Sequence, residues 1–400
     1  MGILGARSLK TNKINKSCWK PMDKTQIQQR TQKAKTSTAK IRIAYICSSG
    51  AQEYWINLAN AISQKCELHL FLPDAVKKSK IPFYLEEKIN IHYFKKFKFY
   101  DIRNIVSLFR LHREILKLAP NLIHLPGGIV FGLPIIYPLI KLRFPLVISV
   151  HEPTPLLMSL YERLLLKIHM IIADAVIVAG ETVKRETNRY WKFGKDKVFV
   201  VPFGAYVHYS KLIKSPIKEN GNAVLFFGTL SPRKGFEYLL RAEPAVSREI
   251  KGLKIIVAGR GFGVYKKMVA NSKRFEVYDH YIRDEQLCEL FQRASLVVLP
   301  YTWIHQSGVL FTAYAFGKPV IVTKVGSLTE VVSHGETGLV IEPKSAKALS
   351  NAIITLLKNE KMREKMKENI YKRITNEYSW NRIAEIMLDV YYKIIKRKLS

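Results

Sequence analysis

Twice along this chain a run of consecutive apolar residues ends in a turn of small residues, gives way to a helix, and is followed by another apolar run. The first series opens at Ile41-Arg42-Ile43-Ala44-Tyr45-Ile46-Cys47, turns through Ser48-Ser49-Gly50, and continues with a helix from Tyr54 to about Lys65 and a strand Leu68 to Leu72. The second opens at Ala223 to Gly228, with a helix from Phe236 and a strand Lys254 to Gly259. Strands apolar at successive positions are buried on both faces, and alternation with helices builds a doubly wound parallel sheet. Further strands are expected at Ile89–Tyr93, Leu122–His124, Leu146–Val150, Ala175–Val178, Val198 onward, Phe275–Tyr278 and Leu296–Leu299. Helices are expected at Ile105–Leu118, Leu156–Ile172, Asp284–Arg293, Ala346–Lys358 and Lys361–Arg373. The rhythm therefore predicts two α/β domains, 39–213 and 223–378, joined by the polar linker 214–222, with a last helix in 379–400.

Four hundred residues, 48% of them hydrophobic, suffice for two cores. The 65 basic against 32 acidic residues give +33, which favours an anionic partner. Residues 1–38 read as a mobile basic arm, since Lys and Arg are dense there and Asp23 is the only acidic residue. Cys18, Cys47, Cys66 and Cys288 show neither Cys-x-x-Cys pairing nor zinc spacing, so they are expected to be reduced thiols of a cytoplasmic protein. No apolar run near the start resembles a signal peptide. Leu122 to Ile140 is interrupted by Pro126, Gly127, Gly128, Gly132, Pro134 and Pro138, and reads as a strand, a turn and a short helix rather than a membrane span.

From Gln306 to Thr323 the sequence reads as a polar loop, a helix opening at Ser307-Gly308-Val309, a Gly317 stop with Pro319 beyond, and a buried strand. A helix beginning at Ser-Gly directs unpaired N–H groups and a positive dipole end at whatever lies before it, a site suited to a phosphate or sugar oxygen.

This arrangement resembles the donor region of the retaining glycosyltransferases of GT-B fold, the group 1 or family 4-like enzymes. The chain keeps Gly317-Lys318-Pro319-Val320 and Val325-Gly326-Ser327-Leu328-Thr329-Glu330. It lacks the family's two glutamates, whose positions fall on Ile304, beside His305 and Gln306, and on Thr312; a shift of one residue puts Ala313 there instead. The resemblance covers most of 41–395. It implies two Rossmann-like domains facing a cleft, with the last helix crossing back onto the first.

The turn Gly228-Thr229-Leu230-Ser231-Pro232-Arg233-Lys234-Gly235 resembles the family's diphosphate-holding signature. Lys234 and Gly235 match it; Thr229 stands where the family has Arg, and Arg233 is placed to substitute. A departing diphosphate gathers negative charge, which fixed cations and helix N-terminal amides stabilise without a metal. Gly259-Arg260-Gly261 resembles the family's second turn of the donor domain, and Tyr281-Ile282 corresponds to the segment that packs on the nucleobase. With Gln306, Ser307, Gly308, Val309 and Thr312 these form the expected donor site. His151 follows a strand at the carboxyl end of the sheet, where open α/β folds bind ligands, and resembles the family's cleft histidine. It is expected to be catalytic together with Lys234. Ser48, Ser49, Gly50 and Glu152 are expected on the acceptor side. Glu330 either faces the cleft or caps the helix after it.

The resemblance implies sugar transfer with retention from a UDP- or GDP-sugar to a glycan or lipid-linked acceptor. A weakened, binding or regulatory member is the alternative, since both glutamates are gone. No cofactor and no metal are expected, the nucleotide sugar being a substrate. A nucleic-acid partner is not expected, because no recognition module accompanies the charge. The basic arm and the Lys-rich face around Lys361 to Lys372 suggest peripheral attachment to an anionic membrane surface.

Overall fold

A computed structural model describes residues 41–47, 51–97, 101, 103–127, 137–154, 159–194, 196–213, 215–269 and 272–399. The arm and the Ser48-Ser49-Gly50 turn lie outside these residues. In the first half β1 (Arg42–Ile46), α1 (Gln52–Ser63), β2 (Glu67–Pro73), β3 (Asn90–Phe94), α2 (Arg103–Leu118), β4 (Leu122–Leu125) and α3 (Tyr137–Arg143) follow one another. They are succeeded by β5 (Leu146–Ser149), α4 (Leu160–Ile172), β6 (Ala175–Val178), α5 (Glu181–Trp191) and β7 (Val198–Val200). The second half has β8 (Ala223–Phe227), α6 (Phe236–Glu249), β9 (Lys254–Ala258), α7 (Lys266–Val269), β10 (Phe275–Tyr278), α8 (Asp284–Arg293) and β11 (Leu296–Leu299). It continues with α9 (Gly308–Ala315), β12 (Val320–Thr323), α10 (Leu328–Val331), β13 (Gly338–Ile341), α11 (Ala346–Lys358), α12 (Glu360–Asn376) and α13 (Trp380–Leu399).

All strand pairs are parallel, in the orders β3-β2-β1-β4-β5-β6-β7 and β10-β9-β8-β11-β12-β13. Each sheet reverses its winding once, between β1 and β4 and between β8 and β11. Crevices outside the carboxyl ends of strands at such points are where open α/β folds bind ligands. The two-sheet α/β architecture expected from the sequence is the one observed.

Burial explains the layering. One apolar cluster packs α2, α3, α4 and α5 on one face of the first sheet, through residues such as Leu111, Ile140, Leu166 and Val183. Another packs α6 and α11 on the outer face of the second sheet, through Leu239 and Ile353. Between the sheets a shared core joins α1, α8, α9 and α13. The helix α13 thus crosses back, burying Ile383, Met387, Tyr391 and Ile394. Each such side chain contributes roughly 1.5–3 kcal/mol relative to exposure.

Tyr391 also closes a buried polar chain. Its hydroxyl bonds the Tyr45 hydroxyl at 2.8 Å and His124 Nδ1 at 2.5 Å, and His124 Nε2 bonds Ser149 Oγ at 2.9 Å. Burial holds His124 far below its ordinary range, at about 3, so the ring is neutral and each nitrogen has a partner.

Some boundaries differ from expectation. The helix expected from Leu156 starts at Leu160, because Ser159 and Glu162 form a capping box. The helix from Phe236 runs through Pro244 to Glu249, held by buried Leu239, Ala242 and Val246. Cys47, Cys66 and Cys288 are buried free thiols, as expected. Among the described residues no helix is long and apolar enough to cross a membrane.

Candidate active site

The second domain supplies a cationic corner at its winding reversal. After β8, Gly228 N–H donates to the Ala258 carbonyl at 2.8 Å and Leu230 N–H to the Arg260 carbonyl at 2.8 Å, so the Gly228-Thr229 and Gly259-Arg260 turns lie side by side. Pro232–Lys234 then makes a 3₁₀ turn that ends at Gly235 with φ +67°. A Cβ on Gly235 would stand 2.0 Å from the Pro300 carbonyl oxygen, so glycine alone lets this turn abut the end of β11.

That close approach positions Lys234. Its Nζ donates to the Tyr301 hydroxyl at 2.8 Å and lies 4.0 Å from the ring centroid. The Tyr301 hydroxyl is 3.4 Å from Ser307 Oγ, the residue before α9. Lys234, Tyr301 and Ser307 therefore form a line from the diphosphate-type turn to a helix N-terminus that no side chain caps. Gly308 opens α9, and Val309 lies beside Gly228.

The glutamate positions are occupied differently. Ile304 is buried, and Thr312 Oγ1 donates back to the Gly308 carbonyl at 3.1 Å within α9. Gln306 Oε1 accepts from Ser307 N–H at 2.8 Å, while its buried Nε2 has no partner among the described residues. His305 is buried beside it, with Nε2 2.6 Å from Thr154 Oγ1 of the first domain and Nδ1 without a partner among the described residues. Burial lowers the His305 pKa to about 4; Arg233 lowers it further and Glu152 opposes them.

From the first domain, His151 follows β5. Its Nε2 is 3.3 Å from the Pro126 carbonyl, and its ring meets Tyr54 edge-on at 4.8 Å and Phe203 at 5.3 Å. Burial lowers its pKa to about 4, against the Pro126 hydrogen bond and the Glu152 charge, so His151 is neutral near pH 7 and its Nε2–H donates to Pro126. Glu152 turns to the other domain and accepts a hydrogen bond from Arg233 Nη1 at 2.8 Å. Glu186 adds a carboxylate 3.7 Å from His305 Nε2, with its pKa raised by burial.

The expected site residues thus form two groups. His151, Glu152, Gly228, Thr229, Arg233, Lys234 and Gln306 to Val309 meet where both sheets present strand ends. Tyr281 stands further along, over the β9–β10 side, with the Arg260 guanidinium 5.5 Å from its exposed ring, while Ile282 is buried. Tyr281 lines a cavity of about 450 Å³ with Glu53 and Asn57 of α1, Tyr84, Tyr209 and Asp284.

Glu330 reaches across to the first domain instead of capping the helix after it. Its carboxylate accepts from the backbone N–H groups of Glu181 and Thr182 at 2.7 and 2.6 Å, capping α5 of the first domain. Tyr301, Thr154 and His305 were not among the expected site residues. The signal for Tyr301 was present, since it follows β11 at the carboxyl end of the sheet, as His151 follows β5.

Two family models match consecutive parts of the chain, glycosyltransferase family 4 over 48–207 and glycosyl transferases group 1 over 207–373. An uncharacterized glycosyltransferase of Methanocaldococcus jannaschii is 27% identical over 239 residues, 54% of this chain and 59% of that protein. The match thus spans less than two thirds of that relative. Among solved structures, sucrose-phosphate synthase from Thermosynechococcus elongatus superposes with a TM-score of 0.69 at 19% identity, covering 90% of this chain and all of that one. HepE of Anabaena, in complex with UDP and glucose, superposes with a TM-score of 0.67 at 18% identity, covering 88% of this chain and all of that one. With both domains matched by family models, and with these relatives and folds, the chain belongs to the group 1 glycosyltransferases.

Proposed function

We propose that the chain transfers a sugar from a UDP- or GDP-linked donor to a glycan or lipid-linked acceptor, with retention at the anomeric carbon. The observation that carries this is the line Lys234, Tyr301, Ser307 ending at the N-terminus of α9, with Arg233 beside it and His151 across the cleft. A diphosphate laid along that line would meet two cations and a helix dipole where negative charge grows as the sugar leaves. The HepE structure, solved with UDP and glucose, supports the donor class. In a retaining transfer the leaving phosphate oxygen takes the acceptor proton on the same face, so no strong protein base is needed. Neutral His151 would serve by hydrogen bonding to the sugar or acceptor rather than by charge. The residues that hold the diphosphate are cations and amides, so the reading requires no cofactor and no metal.

A second reading has its own support. With Ile304 and Thr312 at the glutamate positions, and the Thr312 hydroxyl committed to Gly308, the site lacks two carboxylate contacts, as in a donor-binding protein of weakened turnover. A screen of UDP-, GDP- and ADP-sugars by thermal shift and by release of labelled sugar separates the two. A ligand at about a hundred times its Kd adds roughly 2.7 kcal/mol of stability. Stabilisation with sugar release supports transfer, and stabilisation alone supports the second reading. No response to any of these nucleotide sugars would overturn both.

A further inference from the structure

The helices on the outer face of the first sheet carry apolar side chains that nothing among the described residues covers. On α2, Val106 is 54% exposed and Phe109 47%; on α3, Leu142 is 79% exposed; on α4, Leu160 is 83%, Leu164 55% and Ile171 50% exposed. Their spacing is regular. Val106, Phe109, Arg110, Arg113 and Lys117 recur at three- and four-residue steps, as do Leu160, Leu164, Lys167 and Ile171, so each helix shows one outward stripe of mixed apolar and cationic side chains. The inward stripes, with Leu111, Ile115, Leu166 and Met170, bind the sheet. The outward stripes are therefore surplus to the core. Eight Lys or Arg stand against two Glu on α2, α3 and α4. Glu162 is bound to Ser159 in the capping box.

We infer that this face seats the first domain on an anionic lipid bilayer. The cations meet headgroups while Val106, Phe109, Leu160 and Leu164 enter the boundary between headgroup and acyl chain. The charge decides the occupant. A second copy docked face to face would oppose cation to cation, and the residues before 41 are themselves strongly basic. A nucleic acid would leave the aliphatic side chains without partners. Because each helix runs back from the strand carboxyl ends, the N-terminal halves of α2 and α4, where four of the six apolar residues lie, stand at the cleft end of the domain. The cleft then opens close to the headgroups, and of the acceptors in the proposed function the lipid-linked class fits. This step rests on that reading, whereas the bilayer contact does not.

The test is flotation of the full-length chain with phosphatidylcholine vesicles, with and without phosphatidylglycerol, at low and high salt. The proteins are the parent, Leu160→Glu/Leu164→Glu and Arg110→Glu/Lys117→Glu. Circular dichroism, thermal melting and nucleoside-diphosphate binding serve as controls for folding and for the donor site. The parent is expected to float with anionic vesicles and release at high salt, and each double variant to bind about tenfold less or weaker. Equal flotation with neutral vesicles, no flotation at low salt, or undiminished flotation of both variants would overturn the inference. So would a parent dimer in solution that either variant dissociates. Nucleoside-diphosphate binding and sugar release from the same samples report on the proposed activity separately.

Discussion

The guanidinium of Arg233 crosses the cleft to donate to the carboxylate of Glu152 at 2.8 Å, linking the diphosphate-type turn of one domain to the residue after His151 in the other. In the proposed function a phosphate oxygen would compete with Glu152 for Arg233, so donor binding would exchange one anion for another and free Glu152 beside His151. Glu152→Gln is accordingly expected to tighten UDP or GDP binding. The pair is partly exposed, at 28% and 42% for the two side chains, so the gain is on the order of 1 kcal/mol or about fivefold. Calorimetric titration measures it, and unchanged or weaker binding would show that Glu152 does not compete.

Lys234→Ala is expected to lower the transfer rate on the order of a hundredfold or more, because its charge is needed most as the diphosphate leaves. Its contacts, Tyr301 and one ring face, are few, so the melting temperature should change little. A variant with parental turnover would remove Lys234 from the reaction.

His151→Ala is expected to impair transfer while leaving nucleotide affinity nearly intact. The ring packs on Tyr54 and Phe203, whereas the cations and the N-terminus of α9 belong to the second domain. Equal loss of nucleotide affinity and of rate would place the histidine in the donor site instead.

Acid should destabilise the fold over a defined window. Burial depresses His124 to about 3 and both His151 and His305 to about 4, from an ordinary 6.5. The unfolded chain then binds more protons than the folded one between those values, so stability rises with pH there. It is fully present above about 6.5 and is lost as pH falls toward 4. Urea midpoints from pH 7 to pH 4 should decline steadily. The pH–rate profile should show no His151 titration near 6.5, and a midpoint rising on acidification would contradict the neutral histidines.

Gly180 provides a test of domain contact. A Cβ there would lie 2.6 Å from Ser327 Cβ and 2.7 Å from Glu330 Oε2, so Gly180→Val must push α10 off the start of α5. Loss of the Glu330 cap costs about 1 kcal/mol. The expected outcome is a larger radius of gyration by X-ray scattering and slower transfer, with both sheets intact by circular dichroism. An unaltered radius would show that this contact does not hold the domains together.

What the sequence disclosed follows the range of the forces involved. β6 falls on the expected residues because a strand buried on both faces writes its whole length in apolar side chains. The start of α4 was also written, as Ser159-Leu160-Tyr161-Glu162, a capping signature passed over in favour of the apolar run before it. α5 was not legible. Only Val183 and Thr187 are buried along it, and its cap is Glu330, 149 positions beyond Glu181. In the site, His151 could be found by its position after a strand, and Lys234 by the resemblance of its turn to the family's signature. The pairings Arg233 with Glu152 and His305 with Thr154 could not, because the placement of one domain against the other creates them.

The return of α13 to the first sheet sets an order of events during synthesis. Tyr45 emerges from the ribosome early, yet its hydroxyl partner Tyr391 is made 346 residues later. Until then α1 presents to water much of the apolar surface that Ile383, Met387 and Ile394 will cover. The second domain can close its own sheet before the first is finished. The nascent first domain therefore stays half wrapped until α13 is made, and a chain cut before Trp380 would keep that apolar surface exposed.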